Sequence, residues 1–560
     1  MSTRSTRSGK KTRSRIRAVP APREAETAPI TDGIPENAWR IGVIVILLIA
    51  AGLRLWNLSL VPLHHDEGVN GNFLVRLVRE GVYTYDPENY HGPTLYYFAA
   101  LIPWVTKVLF GSSARETYGL TTFTMRLIPA VFGLATIVLI FLLRRKLGTV
   151  ATLAAGLMLA VSPGAVYLSR YFIHETLFVF FTLGIVVAGV WFYEERNPSY
   201  LIPAAASAAL LLATKETAII SLGVLIIALG LTVAYMSVNR KGEGRRYEQP
   251  EGLNRITGRF GGTNTFLTSI MMAVFVFLAL YLLFYSSFFT NYKGINDSLQ
   301  TFAVWTRTGQ TAHVHPPAKY IRWLIYQESP LLFLGTIGAA IAVLKPKNSL
   351  ALFCGLWAFG LIAAYSLIPY KTPWLILNFV VPLALIGGHA IQAIYEMDQR
   401  QLRLVSVILL VAIGIATYQS IDLNFINYDN DNEKYVYVYA HTTRPTLDLV
   451  NQVEQIAKEH NGGQTGISIV SPDYWPLPWY FRNFSRVGYF GRMAVSSEPI
   501  VIANENQKSE IEENLGELYR QVPSKAQGGA FELRPGVKLL LYVRRSGLLS
   551  PPNPPSIQNP

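Results

Sequence analysis

The chain has 560 residues, 51% hydrophobic and only 15% charged, with a formal net charge of +13 and one cysteine. Soluble proteins carry about 25% charged residues, so the composition excludes a soluble enzyme and indicates an integral membrane protein whose basic charge suits anionic headgroups. Cys354 sits alone in an apolar run, which excludes a disulfide framework, and no nucleic-acid-binding signature accompanies the basic charge.

Residues 1–40 are polar and carry Arg4, Arg7, Lys10, Lys11, Arg13, Arg15 and Arg17, the composition of a disordered basic tail on the cytoplasmic side. Apolar runs of about 17–25 residues cross a bilayer. They occur at 41–60, 124–143, 148–168, 173–193, 199–214, 217–237, 266–288, 330–344, 349–369, 373–395 and 402–420. This makes 41–420 a polytopic α-helical domain of about eleven transmembrane helices, with an outer loop over 58–123. The run 93–110 reads as a span or as an interfacial helix. As a span it would put Arg144, Arg145 and Lys146 outside, against the positive-inside rule, so the interfacial reading is adopted. Arg240, Lys241, Arg245, Arg246, Lys345, Lys347, Arg400 and Arg403 then also face the cytoplasm. The N-terminus lies inside the plasma membrane and the C-terminus outside.

Beyond 421 the composition changes. Short strands are predicted at 434–441, 466–470, 499–503 and 537–544, and helices at 446–459 and 507–521. They make 421–545 a small extracytoplasmic α/β domain, followed by a proline-rich disordered tail over 546–560. No glycine-rich phosphate loop opens either helix, so no nucleotide cofactor is expected. The absence of an internal repeat weighs against an inverted-repeat transporter.

This threading gathers every chemically distinctive motif on the outer face. His64-His65-Asp66-Glu67 follows the first span; two acids in a loop are usually solvated, but ionisable groups beside a bilayer are expensive without a role. Asp66 or Glu67 suits a general base with a raised pKa, or an anion opposite a positively charged sugar ring. His65, Asp66 and His174 are also ligand types for Mg, Mn or Zn. Glu175 opens a span shortly after Arg170, either as part of an interfacial pair or as a second acid in the same cavity. Lys215, in the turn Thr214-Lys215-Glu216-Thr217, either pairs with Glu216 or meets a phosphate. Lys371, between Pro369 and Pro373, offers the same choice. Tyr83, Tyr85, Tyr90, Tyr96 and Tyr97 form an aromatic belt in which one or two rings could stack on sugar. Tyr474, Trp475, Trp479, Tyr480 and Arg482 read as core packing or as a glycan or peptide surface.

Leu53-Arg54-Leu55 to Asp66-Glu67, His91-Gly92-Pro93 with Tyr96-Tyr97, and 126–133 from Arg126 to Gly133 resemble the GT-C membrane glycosyltransferases. That group includes protein O-mannosyltransferases and the lipid A aminoarabinose transferase. Arg170 to Glu175, Thr214-Lys215-Glu216, Lys371 to Trp374 and Pro472 to Trp479 resemble its prokaryotic "flippase activity-associated" subgroup, and the likeness spans about 40–545. The resemblance implies transfer of a sugar from a polyprenyl-phosphate-linked donor to a protein, lipid or polysaccharide acceptor. It implies Asp66 as base, with Glu67 and Glu175 as further acids; family members commonly have Asp where Glu175 stands. It further implies Lys215 beside the donor phosphate. His91, Arg170, Lys371, Tyr97 and Trp475 are candidate substrate-binding residues on the same outer face. Some members bind a divalent metal. A flippase, transporter or flippase-associated factor for lipid-linked saccharides is the alternative. It would want polar residues spread through the spans, which are scarce here.

Overall fold

The computed structural model describes residues 34–545 apart from 89–90, 243–256, 259, 312, 398–400, 495 and 525–528. The basic tail up to residue 33, Tyr90, Arg245, Arg246, Arg400 and the proline-rich tail therefore lie outside the described residues.

Among the described residues, eight helices are long and apolar enough to cross a membrane, or up to ten if each of two bent helix pairs is one span. The predicted span 199–214 is shorter than expected: a single turn, Pro198–Tyr200, followed by the helix Leu201–Leu212. Its 12 residues fall below the length of a bilayer core. The run assigned to the interface forms the helix Thr94–Phe110, also short of a span.

Both bends have a local cause. Pro163 lacks an N–H and ends the helix Thr149–Val161, while Ser162 caps the helix Pro163–Ser169 through the Ala165 N–H at 3.2 Å. Glu328 separates Lys319–Gln327 from Ser329–Leu344. The two breaks meet: the Glu328 carboxylate accepts from the Ser162 hydroxyl at 2.9 Å, the Gly164 N–H at 2.8 Å and the Tyr437 hydroxyl at 3.2 Å.

The helix ends separate by charge. Arg144 meets Glu36 at 2.7 Å and Lys146 meets Glu194 at 2.6 Å. The Asn348 side chain donates to the Lys146 carbonyl at 2.7 Å. The start of the first helix, Glu36–Leu55, and three basic or acidic turns thus share one end of the bundle. The loops bearing the chemical motifs share the other.

After the helix Gln401–Ile421 the chain forms a six-stranded mixed sheet of order β2-β1-β3-β6-β4, with β5 also on β6. The strands are β1 Ile467–Ile469, β2 Val487–Tyr489, β3 Ile500–Asn504, β4 Tyr519–Val522, β5 Phe531–Arg534 and β6 Val537–Arg544. β1 runs parallel to β2 and β3, and β6 is antiparallel to β3, β4 and β5. Side chains alternate along a strand: Ile500 and Ile502 pack with Leu449 and Val453 of the helix Pro445–Glu459. Val501 and Ala503 pack with Ile511 and Leu515 of the helix Lys508–Leu515 on the opposite face.

Two outer-region expectations are corrected. The predicted helix 507–521 ends at Leu515, and its remainder supplies β4. The predicted strand 434–441 is no strand: Tyr435, Val436, Tyr437 and Val438 are buried against the membrane helices. Their apolar alternation satisfies a helix bundle as well as a sheet, because β propensity reports a half-buried surface.

Candidate active site

The helix His65–Glu80 begins on His64, whose Nδ1 accepts the Asp66 N–H at 3.1 Å. That leaves the ring proton on Nε2, 3.0 Å from the Tyr439 carbonyl. Burial pushes His64 down to about 4, so the ring is neutral and this tautomer holds. Glu67 faces inward. Its carboxylate takes Arg126 Nε at 2.7 Å and Nη2 at 2.6 Å, the Phe172 N–H at 2.8 Å and the His64 N–H at 3.1 Å. Burial raises its pKa, but Arg126 outweighs this and holds Glu67 below the usual value. With all its acceptor capacity used, Glu67 does not line the cavity; it is a structural anchor rather than the expected reacting acid.

Asp66, one residue earlier, projects the other way into a cavity of about 270 Å³. The cavity is lined by His65, Asp66, Asn70, Glu88 and His91 from the first loop, by Glu175, by Lys215 and Glu216, and by His313, Tyr370 and Trp374. Enclosure raises the Asp66 pKa, opposed by His65, His91 and Lys215. The carboxylate keeps 40% of its surface open to the cavity, so water there tempers the shift. Its place in the first turn of a helix favours the ionised form.

Lys215 is positioned by backbone pairing. Residues His91 and Lys215 form an antiparallel bridge, the Gly92 N–H donates to the Thr214 carbonyl at 3.0 Å, and the Thr94 N–H to the Ala213 carbonyl at 3.2 Å. A Cβ on Gly92 would lie 2.0 Å from the Ala213 oxygen, so this approach admits only glycine. The Lys215 ammonium meets Glu175 at 2.5 Å, and Glu216 turns to His91 Nδ1 at 3.2 Å. Burial opposes the lysine charge, but Glu175 and Glu216 outweigh it and hold Lys215 well above its ordinary value. Of the two readings of Lys215, a pair with Glu216 or a cation for phosphate, the first is corrected in its partner: the carboxylate in contact is Glu175.

Four other expected ligands face elsewhere. Arg170 caps the end of the first helix, donating to the carbonyls of Trp56 at 2.6 Å and Asn57 at 2.9 Å. Lys371 is buried and donates to the carbonyls of Ile368 at 2.5 Å and Ser366 at 3.1 Å. Tyr97 packs against Phe284 and Phe288. Trp475 lies outside the cavity, its ring 6.1 Å from His65. Trp479 donates to Thr122 at 3.3 Å and Tyr480 accepts from the Leu63 N–H at 2.9 Å, so this aromatic run docks the sheet region onto the first loop.

The residues do not fit the metal reading. His174 is fully buried and turned to the Gly92 carbonyl at 3.0 Å, away from His65 and Asp66, and its Nδ1 has no partner among the described residues. Among those residues no three His, Cys, Asp or Glu groups gather as a metal site. The sequence assigns no role to Asn70, Glu88 or Tyr370, and gives Glu216 and Trp374 none beyond a Lys215 pairing and a place in a family motif. Asn70 is fixed by donating to the Phe172 carbonyl at 3.0 Å and accepting from Tyr96 at 2.9 Å. The pairing of His313–His315 with Pro369–Lys371 brings Tyr370 to the cavity, which no local pattern discloses.

Residues 97–241 match the family described as dolichyl-phosphate-mannose-protein mannosyltransferase. No curated protein sequence matches the chain. In architecture the chain is similar to ArnT from Cupriavidus metallidurans bound to undecaprenyl phosphate, with a TM-score of 0.59 and 12% identity over 92% of this chain and 100% of that one. The apo state of that protein gives 0.56 and 13% identity, covering 90% and 98%. The archaeal oligosaccharyltransferase AglB from Archaeoglobus fulgidus, in complex with an inhibitory peptide and a dolichol-phosphate, gives 0.51 and 12% identity, covering 84% and 70%. The helical bundle and the appended sheet therefore share the fold of ArnT and of the archaeal AglB, and residues 97–241 match the mannosyltransferase family model.

Proposed function

We propose that the protein transfers a sugar from a polyprenyl-phosphate-linked donor to an acceptor hydroxyl at the outer face of the membrane. The observation that carries this reading is the convergence of Asp66 with the Glu175–Lys215 pair on one cavity. An apolar groove of about 410 Å³ lies between the helices Ala218–Gly242, Ser329–Leu344 and Ser349–Leu367, lined by Val224, Leu231, Leu352 and Phe359 among others. Two of those helices bring Thr217 and Tyr365 to the polar cavity. A polar head site beside an apolar groove suits an amphiphilic donor. The cavity stands at the end opposite the basic turns of Arg144 and Lys146, which supports an extracytoplasmic site by the positive-inside rule.

In this reading Asp66, with its raised pKa, takes the acceptor proton as the acceptor oxygen bonds to the anomeric carbon. The bond from that carbon to the phosphate oxygen breaks, and polyprenyl phosphate leaves with the electron pair. Attack opposite the leaving group inverts the anomeric centre. Lys215, kept protonated by its two acidic neighbours, offsets charge growing on the phosphate. Glu175 orients the ammonium.

The test is sugar transfer from a synthetic polyprenyl-phosphate donor in detergent, comparing wild type with Asp66→Asn. Loss of turnover in the variant is expected; equal turnover would remove Asp66 from the chemistry. Translocation of a lipid-linked saccharide in liposomes, without turnover of any donor, would replace the transferase reading with a flippase.

A further inference from the structure

We propose that the outer sheet carries a saccharide-binding site of its own, distinct from the Asp66 cavity. In open parallel sheets, ligands bind outside the carboxyl ends of the strands, where connections depart in opposite directions. Here β1 connects outward to β2, while β3 connects the other way, through the helix Lys508–Leu515, to β4. The point between the ends of β1 and β3 is therefore a topological switch. An open polar cleft of about 460 Å³ lies there, bounded by Pro472 and Asp473 after β1, Gly491 and Arg492 after β2, and Asn504, Asn506, Gln507 and Glu510 after β3.

The chemistry selects the ligand class. Some of the polar groups hold the cleft together: Asn504 Oδ1 accepts the Asn506 N–H at 3.0 Å, Gln507 Nε2 donates to the Val470 carbonyl at 3.1 Å, and Asp473 pairs with Arg534. The side chains of Arg492, Asn506 and Glu510 are exposed and have no hydrogen-bond partner among the described residues. One cation, one anion and an amide supply donors and acceptors with no net charge. That set matches a run of sugar hydroxyls. A phosphate-bearing ligand would want a surplus of cations or a glycine-rich loop.

The cleft is wired to the membrane cavity. Two residues beyond Asp473, Trp475 stands 6.1 Å from His65, and a Cβ on Gly68 would lie 2.5 Å from the Pro476 Cβ. The loop that forms one wall of the cleft thus also packs on the first turns of the helix carrying Asp66. A saccharide in the cleft would touch the loop that also packs on the Asp66 helix, and its binding does not require the transferase reading to hold.

The experiment uses the full chain in detergent and saturation-transfer-difference NMR with linear oligosaccharides of glucose, mannose and galactose. At least one is expected to give a signal, abolished by Arg492→Ala with Asn506→Ala and Glu510→Ala, and retained in Asp66→Asn. Should the triple variant melt below wild type, Asn506→Ala alone carries the comparison, with a reduced signal expected. No signal from any sugar with wild type, or a signal that survives the cleft substitutions, would overturn the site. So would a signal from uridine monophosphate in place of the sugars. Loss of turnover in Asp66→Asn with saccharide binding intact separates this proposal from the fate of the transferase.

Discussion

The division of labour between adjacent acids gives a sharp prediction: Glu67→Gln should damage the fold, Asp66→Asn the reaction. Glu67 accepts four hydrogen bonds, two of them from an Arg126 that is 1% exposed. Glutamine keeps the volume but removes the charge, and it turns one acceptor into a donor facing the guanidinium or the Phe172 N–H. Breaking a buried ion pair by removing one partner costs about 3–5 kcal/mol. At roughly 1–2 °C per kcal/mol for a chain of this size, the melting temperature should fall by about 3–10 °C. The Asp66 carboxylate makes no hydrogen bond among the described residues, with His64 Nδ1 3.8 Å away, and it has an open face, so Asp66→Asn should melt within about 1 °C of wild type. Differential scanning fluorimetry in detergent, paired with the transfer assay, reads both. If Glu67→Gln melts like wild type and loses turnover as Asp66→Asn does, Glu67 is a reacting acid and the anchoring role is wrong.

Acidification should loosen the seam between the first loop and the sheet region. His64 and His441, their rings 5.4 Å apart, are both held neutral by burial and pushed down to about 4. Between about pH 6.5 and 4 the unfolded chain binds more protons, so stability present above pH 6.5 is lost as pH falls to 4, by about 3 kcal/mol per histidine as an upper bound; melting at pH 7 and pH 4.5 should show it, and a flat profile would refute it. Glu67 has the same sign at lower pH, its contribution vanishing as pH drops through its depressed value. Lys215→Met should abolish transfer and lose about 3–5 kcal/mol by stranding Glu175; adding Glu175→Gln should restore part of the stability and none of the activity, and simple additivity of the two losses would contradict the pairing. Gly92→Ala must move the Lys215 turn, so it should cost about 1–3 kcal/mol and depress turnover together; wild-type kinetics would show that the turn is not fixed there.

The helices and the shared cavity are legible in the sequence because a bilayer leaves long apolar runs and makes every charge between them conspicuous. Asp66, His91, Glu175 and Lys215 each stand at such an interruption, and each lines the cavity. The same signal misdirected the reading of Arg170 and Lys371. A charge beside a span announces its location but not what it faces, and their partners are backbone carbonyls of Asn57 and Ile368, which no side-chain pattern records. Glu67 was misread as reactive because its counter-ion, Arg126, lies 59 positions away. The alternation of Tyr435 to Val438 suits a strand and a helix-bundle contact alike, and only the tertiary neighbours Gly164 and Glu328 decide between them. The span 199–214 was overcalled because its alanines and leucines score as lipid-soluble without giving it length.

The contacts of His64 with Tyr439 and of Leu63 with Tyr480 join positions more than 370 residues apart. A ribosome must therefore deliver nearly the whole polypeptide before the turn that caps the Asp66 helix gains its last contacts. Until then the early helices can insert and pair while the His64 ring and the Leu63 amide lack these two partners.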